Sequence, residues 1–258
     1  MGMYYKVSVF TLYFPVQFKI LIIMNQTPHK KATKNKHLPL STMLIIDLIS
    51  FVFSLLPNIV AFGLTGVFLY HTYHVSWFAL LVSPIVLLGG FVLSIFLLRI
   101  CLPNLKPGRY KKELNKAVVS WFCHFALGRA AKISGMVRVL QTFNITKFLY
   151  WRALGAKVSF YITNSYDIDF VDSPLIKIGK GVTIGSETSI SCHADIGNCL
   201  ILGKVIVEDN VFIAMSCTIG PNTTIKKNAW IGFGNPLTNE TIGEGEKLKN
   251  IDPKKPVS

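Results

Sequence analysis

The 258-residue chain carries 27 Lys and Arg against 13 Asp and Glu, a net charge of +14, and is 51% hydrophobic with a mean hydropathy of +0.45. It has room for one large or two small domains and is too apolar for an ordinary soluble protein. Its five cysteines are odd in number and lack metal-ligand pairing, so they imply neither a disulfide framework nor an oxidising compartment.

Residues 1–42 form an apolar and basic leader. The stretch 1–24 is interrupted by Lys6, Pro15 and Lys19 and leaves three readings open: a third span, an interfacial helix, or an extension upstream of a start at Met24. A signal peptide fits poorly, because no small-residue cleavage site follows the apolar run. Residues 43–102 contain two long apolar runs, Met43–Tyr70 and Trp77–Leu102, joined by the short linker HTYHVS. Each exceeds the roughly 20 residues needed to cross a bilayer core, which predicts a transmembrane hairpin. Lys and Arg flank both outer ends and are absent from the linker, so both ends, and everything after them, are expected in the cytoplasm. This places the chain as a multi-pass protein of the inner (cytoplasmic) membrane.

Residues 103–153 interleave Arg129, Lys132, Arg138, Lys147 and Arg152 with Trp121, Phe122, Phe125, Phe143, Phe148, Tyr150 and Trp151, the make-up of helices lying in a membrane interface. The charge is divided sharply. Residues 1–154 hold seventeen Lys and Arg and two acids, whereas residues 155–258 hold ten Lys and eleven acids. The basic excess therefore flanks the spans and suits anionic lipid; no nucleic-acid motif accompanies it.

From residue 154 to about 245 the sequence keeps a beat of six. Ile178, Ile184 and Ile190, then Val207, Ile213, Ile219, Ile225 and Ile231, mark it, with a small or slim residue four positions later at Val182, Thr188, Ala194, Val211, Cys217, Thr223 and Ala229. A period of six means short strand, fixed turn, short strand, and predicts a left-handed parallel β-helix whose aliphatic residues stack coil upon coil. The fold class expected is thus a membrane-anchored, mainly-β protein. Residues 191–206 break the beat, so part of this stretch leaves the coil, as site-building loops on regular scaffolds do. Residues 246–258 read as a polar tail.

The hexapeptide pattern resembles the acyltransferases that move an acyl group from a coenzyme A thioester. The runs WRALGAKV, YDIDFVDSPLIKIGKGVTIG and ISCHADIGNCLILGKVIVEDNVFIAMSCTIGPNTTI, with the hairpin, resemble the membrane-embedded C-terminal region of Pls/PosA-type nonribosomal peptide synthetases over roughly residues 44–245. The resemblance implies that an imidazole acts as general base on an acceptor hydroxyl or amine. His193, the one histidine after residue 154, lies in the rhythm-breaking stretch and takes that role; Asp195 is a candidate to orient it. Asp167, Asp169 and Asp172 are further acidic candidates, though turn-forming is the ordinary use of such residues. An acyl-CoA donor, acetyl-CoA first, is expected along the β-helix wall between subunits of a homotrimer, near Ala214, Ser216 and Gly232, with Lys226 and Lys227 placed to meet phosphates. The acceptor is a small-molecule or lipid-linked compound. No metal is expected, because the γ-class carbonic anhydrases of similar fold need three histidines for zinc. A membrane-bound scaffold, or an enzyme acting on carrier-bound substrates, are the alternatives.

Overall fold

The computed structural model describes residues 40–72 and 77–251. The expected leader, apart from residues 40–42, lies outside the described residues, as do most of the hairpin linker and residues 252–258. Helices α1 (Leu40–Thr72, 33 residues) and α2 (Phe78–Cys101, 24 residues) are each long and apolar enough to cross a bilayer. They pack through a narrow apolar seam in which Ala61, Phe91 and Ile95 are fully buried. Gly90 faces α1 in this seam, where a Cβ would sit 3.2 Å from Leu64 Cδ1 and 3.7 Å from Ala61 Cα.

After α2 comes a short strand, β1 (Gly108–Lys111), which the sequence reading, helical throughout 103–153, did not contain. Helices α3 (Lys116–Ile133), α4 (Met136–Thr142) and α5 (Asn144–Ala153) follow. Asn115 caps α3, its Oδ1 accepting from the N–H groups of Ala117 and Val118. Their large aromatics turn inward more than an interfacial helix requires. Trp121, Tyr150 and Trp151 are buried, with Trp151 stacked 4.4 Å from Phe170, while Phe143, Ile145 and Leu149 stay exposed. The C-terminal half of α3 is tied to α1, where Ser54 Oγ donates to Ala126 O (3.0 Å) and Asn58 Nδ2 to Ala130 O (3.1 Å). The segment after α2 is fixed as well, because Pro103 O accepts from Ser120 Oγ (2.9 Å) and His124 Nε2 (3.0 Å).

The remainder is a three-faced parallel β-helix. One face stacks β2 (Lys157–Val158), β5 (Ile176–Ile178), β10 (Val205–Val207), β13 (Thr223–Ile225) and β16 (Thr241–Ile242). The second stacks β3 (Ile162–Asn164), β6 (Val182–Ile184), β11 (Phe212–Ile213), β14 (Trp230–Ile231) and β17 (Lys247–Leu248). The third stacks β4 (Asp169–Val171), β7 (Ser189–Ser191), β12 (Thr218–Ile219) and β15 (Pro236–Leu237). The aliphatic beat is the core: Ile178 pairs with Val207 and Val207 with Ile225, Ile184 with Ile213 and Ile213 with Ile231, all at most 2% exposed.

The corners share the same period. Asn210, Ser216, Asn222, Asn228 and Gly234 all have positive φ, the left-handed conformation that Asn and Gly tolerate best. The β-helix continues past residue 245: β17 pairs with β14, placing Leu248 over Ile231, so the first part of the expected tail is a coil. The break at 191–206 is an antiparallel hairpin, β8 (His193–Ile196) and β9 (Cys199–Leu202), closed by Gly197-Asn198. Strand β1 pairs with β9 from the other side, making a small three-stranded sheet at the corner between the third and first faces. Ala194 therefore lies in this hairpin and does not fill a coil position.

Candidate active site

His193 opens strand β8, where the chain leaves the coil. Asp172 occupies the same corner one coil earlier, in the left-handed conformation (φ 61°), just before the short 3₁₀ turn Ser173–Leu175 that Pro174 favours. Stacking of coils brings the two side chains together across 21 residues of sequence, with His193 Nδ1 2.6 Å from Asp172 Oδ2. A carboxylate only accepts, so Nδ1 carries a proton, and in the neutral ring Nε2 keeps its lone pair. Nε2 makes no hydrogen bond among the described residues, and the side chain is 19% exposed.

The other oxygen of Asp172 is also held. Trp121 Nε1 on α3 donates to Asp172 Oδ1 at 2.8 Å. The Trp121 ring sits edge-on to the imidazole at 4.9 Å, and Phe125 does so at 6.0 Å. Asp172 is thus a fully buried carboxylate with both oxygens satisfied, the condition under which a buried charge is tolerated. Burial pulls the His193 pKa down, but the Asp172 charge and hydrogen bond, with a smaller push from Asp195, outweigh it and raise it above the ordinary histidine value. Burial and the same carboxylate push the neighbouring Cys192 thiol far up, leaving it protonated. His124 is different: burial holds its pKa low, and its ring serves to anchor α3.

The remaining predicted residues lie elsewhere. Asp195, two residues along the same strand, directs Oδ2 to Lys112 Nζ (3.2 Å), so the carboxylate bonded to the imidazole is that of Asp172. Asp169 pairs with Lys132 of α3 at 2.7 Å. Ala214, Ser216 and Gly232 lie at the corner between the second and third faces, and Lys226 and Lys227 at the corner between the first and second. Within one copy of the chain these residues and His193 therefore occupy three different edges of the prism. The N–H of Ala214 donates to Ile231 O and its carbonyl accepts from Thr188 Oγ1; the N–H of Gly232 donates to Leu248 O. Ser216 Oγ donates to Glu187 at 3.1 Å, and both lysines are exposed. Among the described residues no cluster of three or more His, Cys, Asp and Glu side chains is placed to hold a metal ion.

Fold and site define a hexapeptide-repeat β-helix with a buried carboxylate–imidazole pair at one corner. No family model matches the chain. In sequence it is similar to the Delta-poly-L-ornithine synthetase of Acinetobacter baumannii (strain AB307-0294), 28% identical over 171 residues. That match covers 65% of this chain and spans 12% of the synthetase. Similar solved structures include a maltose O-acetyltransferase from Clostridium difficile 630 (16% identity, TM-score 0.37, covering 46% of this chain and 79% of that one). A second is the hexapeptide-repeat acetyltransferase VCA0836 of Vibrio cholerae with acetyl coenzyme A (13% identity, TM-score 0.34, 48% and 83%). A third is the serine acetyltransferase of Neisseria gonorrhoeae in complex with serine (15% identity, TM-score 0.22, 54% and 56%).

Proposed function

We propose that the chain is a membrane-anchored acyltransferase in which His193 is the general base and Asp172 orients it. The observation that carries this is the imidazole with Nδ1 committed to a buried carboxylate and Nε2 open. Nε2 takes the proton from an acceptor O–H or N–H as that atom attacks the thioester carbonyl. The tetrahedral oxyanion collapses, the C–S bond breaks, and the leaving thiolate receives the proton back from the imidazolium. The Asp172 carboxylate stabilises that imidazolium while it exists.

An acyl-CoA, with acetyl the first candidate, is the proposed donor, and a homotrimer the proposed assembly. The residues suggested for the donor lie on other edges than His193, so a second copy is what would bring such an edge to the site. Phe212 and Met215, 39% and 50% exposed on that side of the prism, are suited to being covered by it. The bilayer placement is supported by α1 and α2, in each of which only 17% of the most apolar stretch is buried, whereas a helix in a soluble core would be mostly covered. Positive-inside reasoning then sets the β-helix at the cytoplasmic face, within reach of a lipid-linked or small-molecule acceptor.

The test is thiol release from acetyl-CoA and longer acyl-CoAs by detergent-purified protein given a membrane extract, beside His193→Ala. Acceptor-dependent release that the variant loses supports the assignment. Release from neither protein with any CoA donor removes coenzyme A and turns attention to a carrier-bound donor. A variant that keeps full release removes His193 as base.

A further inference from the structure

A groove of about 780 Å³ runs along the outside of α2, with α5 as its other wall. Its length is apolar, walled by Leu88, Val92 and Phe96 of α2 and by Ile145 and Leu149 of α5. Its volume lies within the ~300–1,000 Å³ of ordinary ligand sites. From Ile85 to Arg99 at 1.5 Å per residue it extends about 21 Å, somewhat more than half of a ~30 Å bilayer core. Three cations line it as well: Arg99, at the C-terminal end of α2, and Arg152 and Lys157, where the chain enters the β-helix.

Nothing in the described residues neutralises them. No carboxylate among those residues lies within 4 Å of any of the three. Arg99 Nε is buried and has no hydrogen-bond partner among the described residues, a deficit that an external acceptor would relieve. The side chain is nevertheless held in place, lying against Gly155 so closely that a Cβ there would be 2.9 Å from Arg99 Nη1. The helical half of the chain is poorly supplied with counter-charge. Residues 1–154 contain seventeen Lys and Arg and only Asp47 and Glu113, and residues 1–39 contain no acid at all. Neither the leader nor the helical half of a second copy offers these three cations a matching set of anions.

We propose that the groove binds one anionic phospholipid of the cytoplasmic leaflet. An acyl chain lies along α2 toward the bilayer centre, and the phosphate accepts from Arg99 and Arg152, with Lys157 beside it. A guanidinium matches phosphate bidentately, and the cytoplasmic leaflet is where anionic lipid concentrates. A Cβ at Gly155 would also lie 3.3 Å from Pro174 Cγ, so the phosphate seat adjoins the turn that follows Asp172. The proposal rests on the reading that α1 and α2 lie in the bilayer.

The test is native mass spectrometry of the detergent-purified full chain offered phosphatidylglycerol and phosphatidylcholine of identical acyl chains. One phosphatidylglycerol per protomer should be retained, with phosphatidylcholine, whose choline cation is repelled by the same three side chains, retained at least roughly tenfold less. R99Q/R152Q should lower phosphatidylglycerol retention by a similar factor. Gly89→Leu should also lower it with every charge intact, because Gly89 lines the groove and a Cβ there meets nothing within 4 Å. Equal retention of the two lipids by the wild-type chain overturns the proposal, as does wild-type retention by both variants. Displacement of phosphatidylglycerol by a polyprenyl phosphate at equal concentration overturns the assignment to a phospholipid. Alkaline carbonate extraction tests the bilayer placement by itself. Release into the soluble fraction refutes that placement, whereas a pelleted chain that holds no anionic lipid refutes the groove proposal alone.

Discussion

Replacing Asp172 by Asn and by Ala should give two different losses, and the larger should come from the more conservative change. Asp172→Ala deletes a charge-assisted hydrogen bond to the imidazole, worth about 1.5–3 kcal/mol, or roughly 10–150-fold in kcat/KM. Asp172→Asn keeps the shape, but Trp121 Nε1 still needs an acceptor at the Oδ1 position. Satisfying Trp121 turns the amide NH2 toward His193 Nδ1, which must then accept, so the proton moves to Nε2 and the base is lost. In the Ser-His-Asp triad of serine proteases, where the same tautomer inversion occurs, the corresponding change costs about 10⁴-fold, and a loss well beyond ~150-fold is expected here. Adding Trp121→Phe to Asp172→Asn frees the amide to rotate its oxygen to Nδ1 and should recover part of the activity. The assay is acceptor-dependent thiol release from acetyl-CoA between about pH 5.5 and 9, with circular dichroism confirming the β-helix in each variant. An Asn variant as active as the Ala variant, or a double variant no better than Asp172→Asn, would refute the tautomer argument.

Trp121→Phe alone keeps a ring against His193 but removes a donor from the carboxylate, leaving more of its charge for the imidazolium. The acid limb of the kcat/KM profile should move to higher pH, whereas Asp172→Ala should move it down toward or below the ordinary ~6.5; limbs that stay put contradict both. The raised His193 pKa also links stability to pH. Its contribution is full below about pH 6.5 and is lost as pH rises through the folded-state value, so the wild-type Tm should fall across that window relative to His193→Gln. A flat or rising difference would show the folded-state pKa is not raised. In the coil stack, Ile213→Ala opens a hole between Ile184 and Ile231 and should cost about 2–5 kcal/mol in urea unfolding. Gly203→Ala would place a Cβ 2.6 Å from the backbone nitrogen of Asn222 and should lower Tm at the corner where the β8–β9 hairpin rejoins the coil.

The beat of six settled the β-helix from sequence, because every coil uses the same inward slots and a local spacing is enough to read them. The left-handed corners, whose Asn, Ser and Gly residues recur at the same interval, left a like trace that the aliphatic beat did not draw on. The hairpin β8–β9 left a local trace too: Gly197-Asn198 between alternating apolar residues is a hairpin signal that the loss of rhythm obscured. His193 stood out by being alone in its half of the chain. Its partner could not be read locally. Asp195 is nearest in sequence, yet its carboxylate turns to Lys112, while Asp172, 21 residues away, is delivered by the stacking of one coil on the next. Trp121 carried no signal beyond being one aromatic among many, and only the docking of α3 between α1 and the β-helix brings its indole to that carboxylate. Sequence alone determined the repeating scaffold, the two apolar helices and the isolated imidazole, because periodicity and composition are local properties. Tertiary structure decided which carboxylate hydrogen-bonds that imidazole, which helix covers it and that Arg99 and Arg152 line one groove, because each of these depends on the distance between segments far apart in the chain.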